Sequence, residues 1–258
     1  MGTGTYAPRP GAAPVGRMIA AQTALETRML LRNGEQLLLT VIIPSLLLVL
    51  FSTVDIVDTS TATGAGEAVD FLAPGVLALA VMSTAFTGQA IATGFERRYG
   101  VLKRLGASPL PRWALMTAKT LSVLVTEVLQ VVLLTAIALA LGWSPQGNPL
   151  AVLALLVLGT AAFSGLGLLM AGTLKAEATL AAANLVFLLL LVGGGVIVPL
   201  EKFGAAADVL ALLPISALSD GLRDVLQGGA GMPWGDALIL AVWAVVGLGA
   251  AARFFRWE

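Results

Sequence analysis

The sequence contains neither cysteine nor histidine. That removes disulfides, Cys/His metal sites, haem-ligating imidazoles and thiol nucleophiles. It also removes every catalytic dyad or triad that needs an imidazole base. Charge is scarce too: 12% of the 258 residues are Asp, Glu, Lys or Arg, against about 25% in a soluble domain. The two signs balance at 15 each, so no bulk attraction to nucleic acid is implied. No GxxxxGK[ST] phosphate loop occurs. Lys119-Thr120 follows Ala118, and the upstream glycine spacing is wrong, so this chain is not expected to bind and hydrolyse ATP by that route. Residues 1–16, rich in Gly, Ala, Thr and Pro, lack the apolar core of a secretory signal; they read as a disordered tail.

What is abundant is aliphatic surface. Hydrophobic residues make up 58% of the chain and the mean hydropathy is +0.93, the composition of a polytopic membrane protein. Uncharged or nearly uncharged runs at about 36–54, 71–95, 115–141, 150–174, 179–198 and 237–252 approach the roughly 20 residues that cross the hydrocarbon. Pro44 is expected to kink the first, which neighbouring helices make tolerable. The last run is short, so Arg253 and Arg256 are expected to snorkel. The fold class expected is therefore all-α polytopic, with six transmembrane helices in one domain over residues 17–258. Ahead of them, residues 17–33 put Met18, Leu25 and Met29 near one line, with Thr23, Glu26 and Thr27 away from it. This reads as an amphipathic interfacial helix or as an extension of the next helix.

Topology follows from the bases. Between the second and third runs lies Phe95 to Lys119, a basic island with Arg97, Arg98, Lys103, Arg104, Arg112 and Lys119. Six spans leave thirteen of the 15 bases on one side and only Lys202 and Arg223 on the other. The positive-inside rule makes the richer side cytoplasmic, both termini included. Trp113, Trp143, Trp234 and Trp257 fall at expected span ends, where an amphipathic ring prefers to sit.

Few residues could carry chemistry. Glu127 is the one acid well inside a run, a functional-site candidate by default because its charge is costly there. It reads as a proton-coupled or substrate group, or as a structural one paired with Asn184, Gln130 or a water. Gly165, Gly167, Gly172 and the Gly193–Gly195 run permit close helix packing or flexibility for gating. A proton-coupled carrier or membrane assembly factor centred on Glu127 is the alternative function that these residues leave open.

The layout and two motifs resemble the ABC type-2 exporter permease family, which includes daunorubicin-resistance-type drug efflux permeases. In the island, Glu96, Gly100, Leu105, Pro109 and Lys119 stand in the order of that family's E-x-x-x-G…L…P…K pattern. After the fifth run, Val198-Pro199-Leu200, Leu213-Pro214 and Asp220-Gly221-Leu222-Arg223 resemble its P-L…L-P…D-x-x-R run. The resemblance implies a cytoplasmic coupling helix in the island that docks on an ATPase through Glu96, Arg97, Arg98, Gly100, Leu102, Lys103, Arg104, Leu105 and Pro109. It implies a re-entrant outer segment marked by Pro199, Pro214, Asp220 and Arg223. It further implies a permease in the cell membrane (the bacterial inner membrane) that moves an amphipathic drug-like or lipid-like cargo outward. The expected partners are ATP-binding-cassette subunits carrying the ATP and magnesium, a second permease copy or paralogue, and membrane lipid. No cofactor, metal or nucleic acid is expected on this chain.

Overall fold

The computed structural model describes residues 11–32, 34–53, 68–196, 198–229 and 231–256, and among these it is all helical. Most of the expected tail and the polar stretch from Asp55 to Glu67 lie outside the described residues. Helix α1 (Val15–Arg32) lies along α6 (Arg112–Ala140), where Thr23 donates to the Ala118 carbonyl at 3.4 Å. Helix α2 (Gly34–Thr53) covers the first expected span and keeps Pro44 inside it. Next come α3 (Ala68–Val81), a π-helical turn (Met82–Gly88) and α4 (Gln89–Arg98). The three form one unbroken rod from Val69 to Arg98, the most buried of the long helices.

The chain then reverses at Tyr99-Gly100. Gly100 has φ +71°, a left-handed conformation that a side chain with Cβ adopts only with strain. It caps the short helix α5 (Val101–Gly106), and Pro111 leads into α6. Asn148 accepts from the Leu150 amide at 2.9 Å and Pro149 opens α7 (Pro149–Thr173), an N-terminus of ordinary capping chemistry. Helix α8 (Ala176–Gly193) follows a two-residue turn. A 3-10 segment (Leu200–Ala206), α9 (Ala207–Leu210), α10 (Pro214–Gly228) and α11 (Trp234–Phe254) complete the chain.

Five described helices are long and apolar enough to cross a membrane: Val69–Arg98, α6, α7, α8 and α11. Their bounds depart from the sequence reading where charges occur. The second run extends to Arg98, the third starts at Arg112 rather than 115, and the last spans 21 residues rather than sixteen. The fifth stops at Gly193. Trp113 and Trp234 are exposed, and Trp143 is buried in the core.

The core surrounds the central rod, with Leu72, Leu79, Met82 and Phe86 meeting Leu155, Phe163 and Leu218. Close packing, the first of the two glycine readings, is what the structure supports. Helices α7 and α11 touch backbone to backbone, and a Cβ on Gly165 would lie 2.6 Å from the Leu248 nitrogen. Two backbones have no flexible side-chain end to yield there. Gly165→Ala is therefore expected to destabilise the protein by about 1–3 kcal/mol or more, readable as a lower melting temperature of the solubilised protein. An unchanged melting temperature would mean that α7 and α11 can separate at no cost.

Candidate functional site

The basic island folds into a braced hairpin. Leu102 is fully buried in a small core of its own with Leu115, Met116, Leu168, Ala251 and Phe255. That core seats α5 on the ends of α6, α7 and α11. Around it arginine side chains tie the hairpin to neighbouring segments. Arg97 donates to the Leu174 carbonyl and Arg98 pairs with Glu177, so both clamp the α7–α8 turn. Arg112 donates to the Phe255 carbonyl at 3.3 Å.

Lys119 does something the sequence did not reveal. Its ammonium is buried, 2.7 Å from a Glu96 carboxylate oxygen and 3.0 Å from one of Glu26. Gln22 also donates to Glu26, at 2.8 Å. One cation thus joins α1, the central rod and α6. Carboxylates this far from water persist only when paired. That explains why Glu26 turns in, on a face it shares with the partly buried Gln22, Thr23 and Thr27, while Leu25 and Met29 are exposed.

This geometry corrects the expected docking set. Glu96 points to Lys119 and Leu102 points into the bundle, so neither faces a partner in this arrangement. Arg97, Gly100 and Leu105 are half-buried, while Arg98, Lys103, Arg104 and Pro109 are exposed. Beside them opens a groove of about 760 Å³ lined by Lys103, Gly106, Ala107, Leu110, Arg112 and Arg256 among others. Arg256 was not legible as part of this surface, because it lies 137 residues beyond Lys119, the end of the island.

The polar groups within the spans pair across helices. Glu127 accepts from Thr160 of α7, and Thr84 of the π turn donates to Gln130 at 2.8 Å. Asn184 is not a partner of Glu127: it is exposed on α8 and donates to the Leu180 carbonyl of its own helix at 2.9 Å. The expectation that Asn184 or Gln130 satisfies Glu127 is replaced by Thr160, one hydroxyl among many in the sequence.

At the opposite end, α10 packs on α3, α7 and α11. Pro214 occupies its first turn. Arg223 is buried and donates to the Val196 carbonyl at 2.9 Å, the Phe71 carbonyl at 3.3 Å and the Asp220 carboxylate at 2.7 Å. Its guanidinium also stacks 3.9 Å from the Phe71 ring centre. Gly75 makes room, since a Cβ there would meet the guanidinium at 2.9 Å. Burial raises the Asp220 carboxyl above its ordinary pKa, and Arg223 pulls the other way. Burial likewise lowers Arg223, with Asp220 opposing. The two marked residues of the expected outer segment thus form one tie, while Pro199 and Pro214 begin helical turns.

Residues 14–253 match the model of a family described as ABC-2 family transporter protein. No curated protein matches the chain.

Proposed function

Because the chain belongs to the ABC-2 family of transporter proteins, a family of multi-pass membrane proteins, we propose that it is the permease subunit of an ATP-binding-cassette exporter. It works as a pair of permease copies, moving an amphipathic drug-like or lipid-like molecule outward across the cell membrane. A separate ATPase subunit holds ATP and magnesium. Both termini and α5 lie in the cytoplasm, and α10 lies outside.

The observation that carries this reading is the seat of α5. A transporter that alternates between arrangements needs ATP binding to bias one of them, and a partner can only push on something rigid. Leu102 wedges α5 into the ends of three spanning helices, while Lys103, Arg104, Ala107 and Pro109 remain exposed. A load on the hairpin tip therefore passes to α6, α7 and α11 together. The basic rim favours orientation and speed of docking on an acidic surface.

Arg104→Glu combined with Ala107→Asp is expected to reduce co-purification of the ATPase by about tenfold, a loss of roughly 1.4 kcal/mol. Membrane insertion and the melting temperature of the permease alone should be unchanged, since both side chains are exposed. Undiminished co-purification would place the docking surface elsewhere. Arg97 and Arg98 make poorer probes, because they also hold the α7–α8 turn.

A further inference from the structure

Between α1, α4 and α6 lies a half-open cavity of about 130 Å³, room for roughly four water-sized groups. Its charged lining residues, among those described, are Glu26, Glu96 and Lys119: two carboxylates and one ammonium. Apolar walls come from Met29, Leu30 and Val123.

Two further side chains line the cavity and have no partner among the described residues. Gln89 is 6% exposed and neither amide atom is hydrogen-bonded; Thr93 is 0% exposed and its hydroxyl is likewise unpaired. Buried polar groups are rarely left so, and an unmet one costs about 1–3 kcal/mol. The cavity is therefore short of a hydrogen-bonding occupant. It is also short of one positive charge, since Lys119 neutralises only one of the two carboxylates, and unpaired charge away from water is costly. A neutral occupant meets the first need and not the second. An anion aggravates the second.

We propose that this cavity binds the ammonium group of an amphipathic amine, with its hydrocarbon chain along the wall formed by Met29, Leu30 and Val123. The ammonium completes a two-anion, two-cation cluster with Glu26, Glu96 and Lys119. Gln89 and Thr93 offer acceptors for the remaining N–H bonds, which an ammonium supplies and a carboxylate does not. The same head could belong to a free alkylamine or to an aminolipid such as phosphatidylethanolamine. The proposal rests on the export reading only in treating the bound molecule as cargo.

The test measures binding without ATP or ATPase, so its failure would leave the docking reading standing, and the reverse. The permease is placed in phosphatidylcholine nanodiscs with a spin-labelled stearylamine or a spin-labelled stearyl alcohol of equal length. The motionally restricted fraction gives the affinity. Wild type should prefer the amine by about tenfold, the scale of a charge-assisted hydrogen bond. Glu26→Gln and Glu96→Gln should each abolish that preference, and Gln89→Leu, which leaves the ion cluster intact, should cut it severalfold. Displacement of the amine by phosphatidylethanolamine identifies a lipid headgroup as the source. Failure of that lipid to displace it identifies a free amine, and both outcomes support the ammonium site. Equal binding of amine and alcohol to wild type, as when a shared proton already neutralises the carboxylates, overturns the proposal. So does a preference unchanged in Gln89→Leu and in whichever carboxylate variant folds.

Discussion

Lys119→Met is expected to cost the folded protein about 3–5 kcal/mol, the scale seen when one partner is removed from a buried ion pair. The side chain it replaces is 4% exposed and holds two carboxylates that come from helices 93 and 23 residues away in sequence. Without it, Glu26 and Glu96 face each other in an apolar setting, and either both take up protons or α1 separates from the bundle. The damage should be largely reversed by neutralising the acids too. The triple change Glu26→Gln, Lys119→Met, Glu96→Gln should melt well above Lys119→Met alone, since residues in one network are strongly non-additive. Thermal unfolding of the solubilised protein, followed by tryptophan fluorescence, reads both results. If Lys119→Met melted like wild type, the triad would not be holding the three helices together.

The second large effect is at the other end of the bundle. Arg223→Leu is expected to free α10, because one guanidinium satisfies two backbone carbonyls and a carboxylate there. Leucine fills part of the space but leaves the two carbonyls unmet, at about 1–3 kcal/mol each, and the partly exposed Asp220 without its cation. Asp220→Asn should be milder, since asparagine keeps an acceptor for Arg223 and removes a carboxylate that burial already disfavours. The natural lack of cysteine provides a clean readout. Ser219→Cys places a thiol at a fully buried position of α10. A membrane-impermeant maleimide should label it slowly in the wild-type background and at least tenfold faster with Arg223→Leu, by an opening shift of about 1.4 kcal/mol. Equal labelling would show that packing alone holds α10.

The sequence made the helical class readable, because hydropathy over twenty residues is a strong signal, and five of the six expected runs are long apolar helices among the described residues. It made the hairpin readable as a basic island and α10 readable through Pro214. Lys119 shows where that reading stops. A charge count groups it with the exposed bases of the island, whereas it is held inside the bundle by Glu26 and Glu96, partners that no local pattern announces. The same limit assigned Glu96 and Leu102 to a docking face. Each sits beside exposed bases in sequence, yet helical rotation turns both toward the bundle. Glu127 was recognisable as a buried acid, but its partner Thr160 was indistinguishable from other hydroxyls until α6 and α7 were laid side by side.

The π turn at Met82–Gly88 acts on all of this as a phase shifter. Its i→i+5 bonding takes up one residue beyond α-helical register, and one residue amounts to about 100° of rotation. Gln89, Thr93 and Glu96, spaced four and three apart, share a face of α4, and the π turn sets the azimuth of that face toward α1 and α6. Were the same residues wound as plain α-helix, with that residue no longer absorbed, the face would swing away by about that angle. Lys119 would then lose Glu96, and the cavity would lose its amide, through a change that adds no charge and removes none.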